Sequence, residues 1–252
     1  MGKEARTGND SLAYINDAMC VSERLALVAH LNDSDRDNLG RICLRDQDFQ
    51  LIGGFDEEFK GYGYEDIDLN MRLKMAGVSL QYLPGAFYDA YVEHEDLTRL
   101  VNSYDYHNLQ RAFVRKISPG KCSVLFLYKD HHVETGTLIK SSHNFPDIQE
   151  ERWLHGQWRQ SGKELSLDGI AGETLLYHET PSAEGPCLLR ENEVFREITD
   201  EQRWRKLLLN KSIIQNYQMM KNRRKSGNFR ANPDGYGKGV VIKNFCEIIE
   251  LR

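Results

Sequence analysis

No apolar run in this chain approaches the length needed to cross a bilayer. Its opening residues, Met1-Gly2-Lys3-Glu4, lack the hydrophobic core of a signal peptide. Arg6 stands where a myristoylation signal prefers Ser or Thr. There is no Cys-x-x-Cys pair. Cys20, Cys43, Cys122, Cys187 and Cys246 are scattered and odd in number, which suits a reducing cytoplasm better than a disulfide framework. There is no surplus of positive charge: a net charge of -5 argues against a general nucleic-acid binder. No local motif supports Ser-His-Asp or Cys-His catalysis. Gly235-Tyr236-Gly237-Lys238-Gly239 lacks the spacing of a phosphate loop. No internal repeat or low-complexity tract occurs.

What remains is a chain of 252 residues, 40% of them hydrophobic, long enough to bury a real core in one or two domains. Its most informative stretch runs from Gly53 to Arg72. Asp56, Glu57, Glu58, Glu65, Asp66 and Asp68 crowd there among glycines 53, 54, 61 and 63. Glycines free the backbone, and an amphipathic helix is expected to begin at the second acidic group. Spacing alone reads as favourable charge at a helix N-terminus, about 0.3–1 kcal/mol per group. Carboxylates so placed also suit a general base or a hydroxyl-binding site.

Hydrophobic periodicity predicts a helix over residues 11–31 and a polar loop over 32–38. A short strand is expected at 41–44 and a short helix at 49–52, closed by Gly53-Gly54. A helix over 66–75 should end at Gly77. Strands are expected over 78–83 and 86–92, then a long helix over 97–117. From Val124 the pattern turns to strands, with a hairpin at Ser161-Gly162. Thr199 to Gln202 fits a capping box opening a helix of about six turns. Gly227 closes that helix, and an apolar strand follows over 240–245.

The residues Gly40 to Leu44, Phe49, Ile52 to Glu57, Tyr62-Gly63-Tyr64-Glu65-Asp66, Asp68-Leu69 and Arg72-Leu73 together resemble a known signature. It is the C-terminal half of GT-A type glycosyltransferases, in the galactosyltransferase and chondroitin-polymerase-like group. The likeness covers roughly residues 38 to 98. It implies an α/β fold and transfer of a hexosyl unit from a nucleotide sugar, such as a UDP-sugar, to a glycan hydroxyl with inversion. Asp66 then corresponds to the base, with Tyr62, Gly63, Glu65 and Asp68 at the acceptor site. Gly53, Gly54 and Arg41 line the donor side, and His94 corresponds to a ligand of Mn²⁺ or Mg²⁺. Tyr62 replaces the family's tryptophan and Tyr64 its second glycine, so the sugar-stacking surface differs.

The family's nucleotide-binding half has no counterpart here. No early strand is expected before residue 38, and Asp33-Ser34-Asp35 lies too close to Gly53 to be the family's Asp-x-Asp motif. A partner chain supplying that half, a truncated enzyme, and a non-catalytic carbohydrate-binding or assembly subunit all follow as readings. His131, His132, His143, His155 and His178 fit no zinc spacing. Trp153 and Trp158 read as core. Lys221, Arg223, Arg224, Lys225, Arg230 and Lys238 read as a basic helix end, with anionic lipid or a polyanionic glycan as the other partner they suit.

The expected organisation is therefore a partial GT-A-like acceptor-side half over 1–120, a small β-rich module over 121–198, and a C-terminal helix and strand over 199–252. The expected location is cytoplasmic, with peripheral membrane contact through the basic segment.

Overall fold

The computed structural model describes residues 2–6, 11–29, 41–84, 90–94, 100, 103–139, 153–237, 239–243 and 247–251. In chain order the first elements are β1 (Gly2–Arg6), α1 (Ser11–Val21), β2 (Leu25–Val28), β3 (Ile42–Cys43), α2 (Asp46–Leu51), α3 (Glu65–Met75), β4 (Ser79–Tyr82) and β5 (Ala90–His94). Next come α4 (Tyr104–Asn108), β6 (Leu109–Ser118), β7 (Lys121–Tyr128), β8 (His132–Ile139), β9 (Leu154–Ser161), β10 (Glu164–Ile170) and β11 (Glu173–Thr180). The chain ends with β12 (Cys187–Arg190), β13 (Glu193–Glu197), α5 (Glu201–Ser226), β14 (Gly239–Lys243) and β15 (Glu247–Leu251). Two compact units result: residues 1–96 with 219–252, and residues 97–218. Among the described residues no helix is long and apolar enough to cross a membrane.

The first unit is α/β. β2 is the middle strand of the sheet β3-β2-β4, antiparallel to β3 and parallel to β4. Its residues alternate between two layers. Leu25, Leu27 and Ala29 pack with Tyr14, Ile15, Ala18 and Met19 of α1. Ala26 packs with Ile52, Leu69, Leu73 and Val78, beside Phe49. All four residues of β2 are buried, as in a strand covered on both faces. β1 pairs with β5, and β14 with β15, each antiparallel.

This corrects the expected helix over 11–31: the helix stops at Val21 and a strand precedes residue 38. A strand buried on both faces is an unbroken apolar run, and its periodicity does not separate it from a buried helix. Asp33-Ser34-Asp35 and His143 lie outside the described residues.

The second unit is a closed barrel of eight strands, β6 to β13, each paired antiparallel to its neighbours. Its interior is filled by Phe113, Leu125, Leu127, Val133, Trp158, Leu165, Leu167, Ile170, Tyr177, Leu188 and Phe195. It is a packed core rather than a channel, as expected at this strand number. In β7, Leu125 and Leu127 point inward, while Val124, Phe126 and Tyr128 point outward under Leu208 and Ile214 of α5. Trp153 stacks on Phe126, with ring centroids 6.2 Å apart. A methyl group at Gly136 would meet that indole at 2.6 Å, so glycine is required there. Both tryptophans are core residues, as their sequence context suggests.

The barrel also revises the expected helix over 97–117. Among the described residues of that span the α-helix is α4, and Leu109–Ser118 is a strand whose Phe113 faces inward and Ala112 outward. The division at residue 120 accordingly falls inside the β6–β7 hairpin, and the observed one lies at 96/97. The hairpin at Ser161 is present: Ser161 pairs with Glu164 around Gly162. The cap of α5 is Asp200 rather than Thr199, since Asp200 Oδ1 accepts from the Arg203 amide at 2.9 Å.

Candidate functional site

The acidic, glycine-rich stretch folds as α2, a Gly53-Gly54 turn, a loop and α3. Both glycines have positive φ, 75° and 70°. A methyl group at Gly53 would stand 2.1 Å from the Ala231 carbonyl oxygen. The segment after α5 lies directly against this turn. The Ala231 amide donates to the Ile52 carbonyl at 2.9 Å. Asn232 Nδ2 donates to the carbonyls of Gly53 at 2.7 Å and Phe55 at 2.5 Å, and its Oδ1 accepts from the Glu57 amide at 3.1 Å. Tyr236 meets Phe49 edge to face, 5.6 Å between centroids.

Several of the acidic groups are engaged by the protein itself. Asp68 is fully buried and accepts from Arg72 Nε at 2.6 Å. Arg72, also fully buried, donates through Nη1 to the carbonyls of Ile52 at 2.9 Å and Gly54 at 2.8 Å. Burial pushes the Asp68 carboxyl above the usual carboxylate range, against the opposing pull of Arg72. Asp56 is buried in an ion pair with Arg223. Glu57 Oε1 accepts from the Gly237 amide at 2.6 Å.

Glu65 and Asp66 open the helix that follows the loop. Both lie in the first turn of α3 and are half-buried. Glu65 Oε2 is buried and accepts no hydrogen bond among the described residues. The residue before them, Tyr64, caps the helix in the left-handed region at φ 72°. A bulky residue held there is strained, and such strain concentrates at functional positions. Tyr62 and Gly63 precede it in the same loop and are half-buried. Arg41 lies beside β3, where its carbonyl accepts from the Ala29 amide at 3.1 Å. His94 ends β5, and its backbone pairs with Gly2.

Sequence reasoning brought out the loop but missed what fixes it. Asn232 and Arg223 lie far along the chain and carry no local motif. The barrel histidines fit no zinc spacing in the sequence. The structure places His132, Glu134 and His155 together on adjacent strands, with one ligand-capable atom of each within 4.8 Å of the others. The signal was there as His132-x-Glu134 on one strand, which puts both on one face. The third member becomes visible only through the β8–β9 register, where Glu134 stands opposite His155.

Beside β6, β7 and α5 the barrel unit carries a cavity of about 770 Å³. Leu138, Ile139, Leu207 and Ile214 line it, together with Lys116 and Arg203.

Residues 38–95 match a family described as the N-terminal domain of galactosyltransferase. The chain is also similar to rhamnosyltransferase WbbL of Escherichia coli (strain K12), 36% identical over 66 residues, or 26% of this chain and 25% of that protein. The chain thus spans about a quarter of the length of the curated relative it matches. No solved structure matches it. The matched segment is glycosyltransferase-like, and it contains the Gly-Gly turn, the acidic loop, α3 and β5.

Proposed function

We propose that this chain supplies the acceptor side of a glycosyltransferase that moves a hexosyl unit from a nucleoside-diphosphate sugar to a glycan hydroxyl with inversion. The observation that carries the reading is the pair Glu65 and Asp66 in the first turn of α3, behind the left-handed Tyr64 and inside the glycosyltransferase-like segment. Glu65 brings a buried carboxylate oxygen that meets no hydrogen-bond donor among the described residues. An acceptor hydroxyl would satisfy it, since a buried acceptor left unpaired costs about 1–3 kcal/mol.

Asp66 acts as the base. A sugar hydroxyl is a poor nucleophile until a positioned carboxylate takes its proton. As the hydroxyl oxygen bonds to the anomeric carbon, the proton passes to Asp66 and the bond to the diphosphate breaks. Tyr62 offers an aromatic face for the acceptor ring. Asp68 stands apart from this group: being fully enclosed with Arg72, it holds the loop to the Gly-Gly turn and does not meet an acceptor. Gly53 is pressed against the Ala231 carbonyl, so its contribution is also to shape the turn.

The family reaction uses Mn²⁺ or Mg²⁺, which offsets charge on the leaving diphosphate. Among the described residues of this unit no three metal-ligating side chains converge. The cation therefore stays an expectation resting on His94, and no step above depends on it. The donor half of the site, a UDP-sugar site in the simplest case, comes from this chain or from another.

Isothermal titration of the full chain with UDP and UDP-sugars, with and without Mn²⁺, tests this, repeated on His94→Ala. Metal-dependent binding lost in the variant supports a donor site within the chain. Absence of binding removes the self-sufficient enzyme and leaves the acceptor role or a glycan-binding one.

A further inference from the structure

The barrel carries a second polar cluster, outside the glycosyltransferase-like segment. Glu134 lies on β8 and is buried. Its Oε2 pairs with Lys211 of α5 and accepts from the Tyr128 hydroxyl at 3.0 Å. Its Oε1 faces two imidazoles instead: His155 Nδ1 at 3.3 Å and His132 Nε2 at 3.7 Å. The two rings are parallel and 5.8 Å apart. Their side chains are 55% and 29% exposed, so the imidazole side is open while the carboxylate side is closed.

We infer that His132, Glu134 and His155 form a binding site for a borderline divalent transition cation of the Zn²⁺ type. Two imidazole nitrogens and one carboxylate oxygen are a donor set such ions accept. The separations suit it. A tetrahedral cation with bonds of about 2.0–2.1 Å spaces its ligand atoms about 3.3–3.4 Å apart, close to the observed 3.3 and 3.7 Å. The two imidazole nitrogens themselves lie within 4.8 Å of each other.

The surroundings also fit. Metal-bound carboxylates are themselves held by outer partners, and Tyr128 and Lys211 hold Glu134 from behind. Lys211 is shared: it donates to Asp105 Oδ2 at 2.7 Å as well. One ammonium thus faces two carboxylates, and with neutral imidazoles the cluster keeps a net negative charge that a cation offsets. Three protein ligands leave the fourth position to water or to an exogenous ligand on the open side. This donor set differs from the oxygen-rich one that Mg²⁺ prefers.

The test is titration of the full chain with Zn²⁺ by calorimetry and with Co²⁺ by visible absorption, on wild type, His155→Ala and His178→Ala, the last an exposed barrel histidine outside the cluster. His155 is exposed, so its removal leaves the barrel folded, as far-ultraviolet circular dichroism will verify. The expected result is an equivalent with an intense tetrahedral Co²⁺ spectrum, affinity unchanged in His178→Ala, and affinity lower by about tenfold or more in His155→Ala. A chain that takes up no Zn²⁺, or a His155→Ala chain that binds as wild type does, overturns the inference.

Discussion

Arg72 and Asp68 form an ion pair at 2.6 Å in which neither side chain reaches solvent. The same guanidinium ties the carbonyls of Ile52 and Gly54 to α3. One buried pair therefore fixes the Gly-Gly turn relative to the helix that carries Glu65 and Asp66. Removing one partner leaves an uncompensated buried charge. Arg72→Met should lower stability by about 3–5 kcal/mol. Arg72→Met combined with Asp68→Leu should recover part of that loss, and urea unfolding of both variants measures it.

At Gly53 two constraints coincide, a φ of 75° and a carbonyl oxygen in the place of any Cβ. Gly53→Ala should cost at least about 1–3 kcal/mol and displace residues 231–232. Hydrogen exchange at the amides of Ala231 and Glu57 should speed up, since both are held by this contact region.

Tyr64 can be probed without confusing strain with ring contacts. Tyr64→Gly and Tyr64→Val both delete the ring, but only glycine tolerates φ 72°. The valine variant should be less stable than the glycine variant by about 1–2 kcal/mol. Equal unfolding midpoints would place the strain elsewhere.

Acidification should weaken the barrel through Arg111. It donates to Glu179 at 2.6 Å and to Glu197 at 2.8 and 2.7 Å, joining β6 to residues of β11 and β13. The Arg111 hydrogen bond holds the Glu179 carboxyl below its ordinary range. A depressed folded pKa means stability fully present above the unfolded value, about 4.3, and lost as pH falls through the folded value. Urea midpoints of wild type should thus fall below about pH 4.3. Glu179→Gln should show a shallower fall, because the neutral amide does not titrate.

Much of the site loop was legible because its signals are local. Gly77 ends α3 at φ 82°, and Gly227 follows α5 at φ 71°, as their positions after the last apolar residues suggest. The acidic first turn of α3 is likewise written in consecutive residues. The strands β2 and β6 were not legible: β2 is buried along its whole length, and in β6 the apolar Leu109, Ala112, Phe113 and Ile117 recur at helical spacing. Long-range choices were equally hidden. That Asp68 faces Arg72, that Asn232 meets Gly53, and that His155 stands opposite Glu134 follow from packing and register, to which no local pattern points.

The measurement that tests the central claim most directly is hexosyl transfer by the full chain, read as nucleoside diphosphate released from UDP-sugars with and without a panel of glycan acceptors. It compares wild type with Asp66→Asn, both verified as folded. For a chain that binds the UDP-sugar, the account predicts acceptor-dependent release by wild type, about 10²–10⁴-fold slower in the variant, the range expected when a general base is lost. Release by Asp66→Asn at the wild-type rate would contradict it.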